Sequence, residues 1–500
     1  MRWRFGRSRA VPRRWTQSSQ ETECAVMLTW TETYYISEWV IRLIMLVYVP
    51  QRRSPAAART WLLLIFFLPW PGLILYGLIG RISLPPKRIQ LRAQAAHLLR
   101  TSMKEYMERK PVTQPDLGPR LMQAVTLASH LGDFNIRGGN TVELLAEYAG
   151  SIDRLVADID AAQDHVHLLY YIFANDATGG RVADALVRAA GRGVKCRVLM
   201  DGLASRRSAR ALTPRLRAAG VDVRLLLPIG FLRQTRTRLD LRNHRKIAVV
   251  DGRTGYVGSQ NLVDPTFKKG IVYEELVARV TGPVVWQLQA VFLADHFVET
   301  GIAESDLASF FPETIPGGES PAQALPSAPG FEYENTQRLI VALIHGARER
   351  VVITTPYFVP DEPLLEAMQT AVLRGVEVHL ILSRQADQMM VCLAQRSYYE
   401  ELLEAGVHIH LYRPFFLHAK HLSIDDSIAL IGSSNMDIRS FALNAEISLL
   451  IYDPHVVARQ RKIQERYFAD ADLLTLEEWR RRPRLAKITQ NIARLVDALL

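Results

Sequence analysis

The chain has 500 residues, 48% hydrophobic and 22% charged, which excludes a largely disordered protein and leaves room for two or three domains with ample core. Lys and Arg number 61 against 51 Asp and Glu, and the net charge of +10 fits an anionic partner, either nucleic acid or an anionic membrane. Cys24, Cys196 and Cys392 stand far apart, with no CxxC and no Cys/His pair at zinc spacing, which argues against a disulfide framework and a structural zinc.

Residues 1–33 read as a basic arm, with Arg2, Arg4, Arg7, Arg9, Arg13 and Arg14 and no early acidic residue. Residues 34–80 read as a transmembrane anchor of one or two spans. Tyr34–Val49 is apolar apart from Glu38 and Arg42, and charges at a span centre are costly. Thr60–Gly80 is uncharged between Arg59 and Arg81, and as one helix it reaches about 31 Å, enough to cross a hydrocarbon core. Pro69 and Pro71 should kink that span or break it into a re-entrant hairpin. Trp61, Trp70 and Tyr76 suit interfacial or lipid-facing positions. Arginines on every side leave orientation open. Residues 81–120 are expected to be a linker.

The body is one design written twice. His165–Asp176 is an apolar strand followed by a helical run at Val182–Ala190 and a second strand opened by Gly193-Val194. Val351–Asp361 repeats it, with a helical run at Leu364–Leu373 and a strand opened by Gly375-Val376. Each is a βαβ unit, so the expected fold class is α/β: two pseudo-symmetric lobes, each a mostly parallel sheet flanked by helices, behind the N-terminal transmembrane helices. The first lobe is placed at 121–301 and the second at 331–475. Between them, 302–330 is rich in Pro, Gly, Ser and Ala and reads as a loop; 476–500 reads as a C-terminal tail.

Each half then carries the same polar constellation. His244, Lys246 and Asp251 are followed by Gly258, Ser259 and Asn261; His418, Lys420 and Asp425 are followed by Gly432, Ser433 and Asn435. Both obey His-x-Lys-x4-Asp-x6-Gly-Ser-x-Asn. Six fixed positions arise by chance on the order of once in 100,000 chains of this length, and two copies far less often. Residues two apart on a strand share a face, so His and Lys are expected to project together.

This paired motif resembles the phospholipase D superfamily, whose two His-Lys-Asp motifs meet in one active site. The resemblance implies a phosphodiester at the junction. Lys246, Lys420, Asn261, Asn435, Ser259 and Ser433 would bind its phosphate as charge builds. One histidine would attack phosphorus while the other protonates the leaving oxygen. By resemblance His244 is the nucleophile and His418 the acid and later base. No metal and no cofactor is expected. Asp251 and Asp425 complete the catalytic set by motif, yet five residues beyond each lysine they also fit structural carboxylates bonding local backbone, and that reading is preferred. The downstream glutamates Glu275 and Glu446 are better candidates to orient the histidines and fix their tautomers. Tyr170, Tyr171 and Tyr357, on the repeated strands, line the pocket or pack the core.

Three features narrow the substrate. The anchor holds the site at a bilayer. Pro414-Phe415-Phe416-Leu417, entering the second histidine, is apolar, as a lipid-tail entrance would be, or as core would be. Arg233, Arg236, Arg238, Arg242 and Arg245 form a basic run suited to anionic head groups, or a solvated loop. Order and wording are similar to the bacterial cardiolipin synthases over nearly the whole chain, including the segment from Gly139-Asn140, the strand at Tyr170-Tyr171, Arg242–Lys246 and Phe416–Lys420. Two departures are Ser259, where that family usually has a second glycine, and a Glu near position 275 where Asp is common. The resemblance implies a bacterial inner-membrane phosphatidyltransferase, with phosphatidylglycerol as donor and acceptor and the phospholipid bilayer as partner. Alternatives are a phospholipase D using water, and a membrane-tethered nuclease. The scattered basic residues lack the base-stacking groove a nuclease needs, so no nucleic acid partner is expected.

Overall fold

The structure is a computed structural model that describes residues 29–53, 55–80, 85–109, 112–227, 240–302, 306–313 and 317–495. Residues 1–28 of the basic arm, with all six of its arginines, and Arg233, Arg236 and Arg238 lie outside these residues, while the arm's last five residues start the first helix.

Three helices open the described chain: α1 (Trp30–Tyr48), α2 (Pro55–Phe67) and α3 (Pro69–Ile79). A capping box between Thr29 and Glu32 starts α1. The uncharged run expected as one span is broken instead. Leu68 leaves the helical region at φ −133°, and Pro69 opens a new helix that doubles back on the first. Gly72 lies so close to α2 that a Cβ there would stand 2.9 Å from the Ile65 Cα. Trp61 and Tyr76 meet edge to face at 5.1 Å. At 1.5 Å per residue α2 is about 20 Å long and α3 about 17 Å, against a hydrocarbon core of about 30 Å. Among the described residues, no helix is long and apolar enough to cross a membrane. Of the two outcomes the prolines allowed, the hairpin forms.

The expected linker is also structured. Residues Pro86–Arg109 form α4, which packs on the helix Val285–Thr300 and is pinned by an Arg88–Glu299 ion pair.

The first lobe contributes β1 (Arg137–Leu145), β2 (His165–Tyr170), β3 (Lys195–Asp201), β4 (Asp222–Leu226), β5 (Ile247–Val250), β6 (Thr254–Gly258), β7 (Tyr273–Glu274) and β8 (Val277–Thr281). The second begins at β9 (Ser320–Ser327) and continues with β10 (Arg350–Thr354), β11 (Phe358–Val359), β12 (Glu377–Ser383), β13 (His408–Tyr412), β14 (Phe416–Leu417), β15 (His421–Ile424), β16 (Ile428–Gly432), β17 (Met436–Asp437), β18 (Glu446–Ile451) and β19 (Ala471–Leu474). Fifteen of these form one sheet, ordered β19-β13-β12-β10-β15-β16-β18-β9-β1-β8-β6-β5-β2-β3-β4. The βαβ units are parallel as expected, in β2-β3-β4 and β10-β12-β13. The rest of the large sheet is antiparallel, so "mostly parallel" is corrected to mixed. The reason is loop length. Three residues join β5 to β6 and β15 to β16, and a parallel crossover needs a dozen or more.

The expected inter-lobe loop is corrected too. Inside 302–330, β9 pairs with β18 on one side and β1 on the other, fusing the half-sheets. Its sequence, Ser-Pro-Ala-Gln-Ala-Leu-Pro-Ser, hides it because small side chains suit a strand covered on both faces. Helix α5 (Pro119–Gly132), whose residues from 121 on are expected by sequence in the first lobe, instead buries Leu121, Ala124, Ala128 and Leu131 in the second lobe's core. Among its described residues the tail forms two helices, Leu476–Arg480 and Arg484–Leu495, and the second packs on Met389–Ser397.

The motif aspartates belong to this framework. Asp251 closes the β5–β6 turn at φ 52°, and its carboxylate accepts from the amides of Gln163, Asp164 and His165 at 2.8–2.9 Å. Asp425 does the same at φ 47°, accepting from Arg348, Glu349 and Arg350. Each ties the hairpin to the start of the neighbouring parallel strand and holds a left-handed backbone that Asp tolerates better than most residues. Replacing Asp425 with Ala removes an ionised acceptor from three amides and leaves Cβ strain, so thermal unfolding should show a loss of about 3 kcal/mol. Turnover per folded molecule should stay within about threefold; a thousandfold loss in a folded protein would return Asp425 to the chemistry.

Candidate active site

The C-terminal ends of the parallel strands β2 and β10 face a cleft of about 340 Å³ whose lining includes His244, His418, Asn261, Asn435, Glu275, Tyr171 and Tyr357. Open α/β sheets place ligands at this edge. The two halves are interleaved here. Asn243 bridges to Ala445, and His244 N donates to Ala445 O at 2.8 Å. On the other side β14 pairs with β7, and His418 N donates to Glu274 O at 2.8 Å. Each histidine is thus carried on a strip of backbone paired with the other lobe.

The glutamates cross as well. His244 Nδ1 lies 3.0 Å from Glu446 Oε1, and His418 Nδ1 lies 2.6 Å from Glu275 Oε1. Each carboxylate serves the histidine of the opposite half. Because a carboxylate only accepts, each Nδ1 carries the proton, and each Nε2 keeps its lone pair. Burial pulls the His244 imidazole down to about 4 and lowers His418 too, against the opposing pull of Glu446 and Glu275. Burial also opposes the charge on the glutamates, yet His244, Lys246 and Ser433 hold Glu446 below the usual carboxylate range. His418, Lys420 and Ser259 do the same for Glu275. At neutral pH each pair is a carboxylate bound to a neutral imidazole.

The motif residues have separate duties. His244 and Lys246 precede β5 rather than lying on it, and likewise His418 and Lys420 precede β15. The ammonium of Lys246 donates to the His244 carbonyl at 2.5 Å, and that of Lys420 to the His418 carbonyl at 2.6 Å. Both are buried, and burial lowers Lys246 to about 7 and Lys420 to about 8. Gly258 and Gly432 let the glutamate strands pass: a Cβ at either would stand 2.4 Å from the carbonyl of Leu276 or Ile447. The serines then clamp those strands. Ser259 Oγ accepts from Leu276 N, and Ser433 Oγ accepts from Ile447 N, both at 3.0 Å. Ser433 Oγ also donates to Glu446. Both serines are fully buried behind the glutamates, which corrects their assignment to the phosphate. Asn261 accepts from Ile172 N at 3.1 Å through Oδ1, and among the described residues the buried Oδ1 of Asn435 has no hydrogen-bond partner.

Other expectations divide. Tyr171 meets His244 edge to face at 4.7 Å and Tyr357 meets His418 at 6.5 Å, whereas Tyr170 is core. Phe416 and Leu417 are buried, so of the apolar entry segment Phe415 remains a large exposed side chain. Arg242 and Arg245 are not a surface patch. Both are buried, Arg245 against Asp295 at 2.5 Å and Arg242 at 3.6 Å from Asp201. Asp251 and Asp425 sit at the opposite ends of their strands from the histidines.

Sequence reasoning missed Tyr273, which meets His418 edge to face at 5.4 Å, and Arg439 and Asn444 in the cleft wall. Tyr273 stands two residues before Glu275, and Arg439 four after Asn435. Their closeness to the motifs was the available signal.

Known proteins resemble this chain in sequence and in fold. A family model described as "Cardiolipin synthase, PLD-like domain" matches residues 155–295 and 340–468. Cardiolipin synthase A of Proteus mirabilis (strain HI4320) is 33% identical over 457 residues, 90% of this chain and 94% of that one. Cardiolipin synthase A of Yersinia pseudotuberculosis serotype O:1b (strain IP 31758) is 35% identical over 463 residues, with the same coverage. The crystal structure of phosphatidylserine synthase from Haemophilus influenzae Rd KW20 superposes with a TM-score of 0.59 at 17% identity, over 76% of this chain and all of that one, a likeness of fold. Sequence similarity across both lobes, at this length and identity, makes the chain a member of the cardiolipin synthase family with phospholipase D-like domains.

Proposed function

We propose that the protein is a membrane phosphatidyltransferase, a cardiolipin synthase that joins two phosphatidylglycerols into cardiolipin and glycerol. The observation that carries this reading is the crossed pair of histidines, each presenting Nε2 to one cleft while the opposite lobe's glutamate holds Nδ1. The similarity to cardiolipin synthases over 90% of the chain supplies the substrate class.

In the first step His244 Nε2 attacks phosphorus, a P–N bond forms and the bond from phosphorus to the glycerol oxygen breaks. His418, which takes up a proton from solvent on Nε2 as the anionic phosphodiester binds, gives that proton to the oxygen, and glycerol leaves. In the second step a hydroxyl of another phosphatidylglycerol returns a proton to His418 and attacks phosphorus. The P–N bond breaks and cardiolipin is released. Assignment of His244 as nucleophile follows the family resemblance and is supported by burial, which pulls its imidazole down to about 4 and keeps Nε2 unprotonated. Lys246 and Lys420 supply positive charge, and Asn261 and Asn435 carboxamides, for the phosphoryl oxygens.

The N-terminal helices support attachment to the bilayer. Ile41, Met45, Trp61, Ile65 and Tyr76 form their inner seam, while Trp39, Leu43, Val47, Phe67, Ile74 and Leu78 face outward and exposed. Such an outer surface needs lipid as its solvent, with α2 and α3 entering as a re-entrant hairpin.

Membranes containing the protein, given labelled phosphatidylglycerol, should produce cardiolipin and free glycerol; phosphatidic acid as the sole labelled product would overturn the synthase reading in favour of hydrolysis. His244→Ala and His418→Ala should each lower the rate at least a thousandfold, and substantial turnover in either would defeat the shared-site mechanism. The lysines lose charge as pH rises through about 7 and about 8, so the alkaline limb of kcat/KM should fall there, well below the usual lysine range. Bound phosphodiester restores the charged form, which moves the kcat limb upward; a kcat/KM flat to pH 9 contradicts the lysine role. Phe67→Arg with Ile74→Arg should release protein from membranes in alkaline carbonate, where the parent chain stays bound.

A further inference from the structure

A second cavity, of about 750 Å³, opens beside the cleft in the second lobe, and Tyr357, Asp387 and Gln388 line both. These three form a hydrogen-bonded doorway: Tyr357 donates to Asp387 Oδ2 at 2.7 Å, and Gln388 Nε2 donates to the Tyr357 hydroxyl at 3.0 Å. Beyond it the walls combine apolar groups, Phe416, Leu473 and Leu474, with donors at Arg396 and Trp479. Among the described residues the buried indole N–H of Trp479 has no hydrogen-bond partner. Arg396 is part-buried, and among the described residues neither an ion pair nor a side-chain hydrogen bond holds its guanidinium. Leu473 and Phe415 stand exposed near its rim, Leu473 in the wall and Phe415 next to Phe416.

The cavity breaks the two-fold likeness of the lobes. In the first lobe one helix, Arg206–Ala218, connects β3 to β4. In the second, residues 384–388 and two short helices, Met389–Ser397 and Tyr399–Ala405, connect β12 to β13, and β19 is added at the edge. Those additions build the cavity walls. It lies on the His418 side, where Phe416 stacks on the imidazole at 6.0 Å and Tyr357 meets it at 6.5 Å. A symmetric pair of half-sites can treat one phosphorus, but joining two lipids needs a place for the second. That place must deliver a hydroxyl to the histidine acting as base.

We infer that this cavity holds the head group of the acceptor phospholipid, with Arg396 on its phosphate and the Tyr357–Asp387–Gln388 doorway passing its glycerol hydroxyl toward His418. The assignment rests on the phosphatidyltransferase reading above. Guanidinium and phosphate form charge-assisted paired hydrogen bonds, and a part-buried cation without a carboxylate is ready for one. The apolar rim suits the start of acyl chains. Small alcohols, lacking a phosphate, gain nothing from Arg396.

Full-length protein in phosphatidylglycerol vesicles containing 1-propanol partitions one phosphatidyl-enzyme between cardiolipin and phosphatidylpropanol. The ratio is independent of how much enzyme is folded. Arg396→Gln should lower the ratio of cardiolipin to phosphatidylpropanol at least tenfold, and Arg396→Lys should recover most of it; an unchanged ratio in Arg396→Gln overturns the assignment. Cys392, in the cavity wall, gives a second measurement on the parent chain. A bulky methanethiosulfonate on that thiol should lower the ratio, with Cys392→Ser insensitive, whereas a ratio unaltered by a confirmed Cys392 adduct also overturns it. A parent chain that makes phosphatidylpropanol and no cardiolipin sinks the synthase reading itself, which the variant arms do not touch.

Discussion

The crossed bonds from Glu446 to His244 and from Glu275 to His418 are the constraint on which the rest of the molecule depends. Neither lobe can complete a site alone, because each supplies a histidine whose orienting carboxylate belongs to the other. Removing either imidazole takes a hydrogen-bond donor from a buried carboxylate at a cost of about 3 kcal/mol, so the pairs also make the lobe junction sensitive to any relative shift. The fused sheet answers that need. Strand β9 joins the halves through continuous backbone pairing, and the β14–β7 and Asn243–Ala445 contacts stitch the strips that carry the histidines.

Within each motif the residues separate into chemistry and scaffold. His faces the cleft, and Lys lies just beneath it, its ammonium on the histidine's own carbonyl. Gly permits close approach of the glutamate strand, Ser clamps that strand, and Asp anchors the far end of the hairpin to three amides. One spacing therefore encodes a complete half-site together with the means of holding its partner's glutamate. Burial of the lysines keeps their charge conditional, so an arriving phosphodiester both needs and restores it.

Much of this was legible in the chain. The repeat exposed two lobes, and matched spacing exposed His244, Lys246, His418 and Lys420, because chemistry that uses one group from each half leaves the same signature twice. The βαβ units were legible from apolar runs separated by an amphipathic helix. The antiparallel hairpins were not, since strand direction depends on loop length and the motif loops resemble any turn. Strand β9 was hidden by its alanines, serines and prolines. The cross-lobe exchange of Glu275 and Glu446 was hidden because spacing along one half says nothing of which half a carboxylate reaches. Arg242 and Arg245 read as a basic surface, yet Asp201 and Asp295, distant in sequence, neutralise them in the interior. The uncharged run from Thr60 was long enough to span, and its prolines carried the information that it folds back.

The central claim is that both half-sites act in turn on one phosphorus through a phosphatidyl-histidine. Stereochemistry tests it most directly. With phosphatidylglycerol chiral at phosphorus through sulfur substitution, two in-line displacements give cardiolipin with retained configuration. Retention is the result this account predicts; inversion would mean a single direct transfer between lipids and would contradict it.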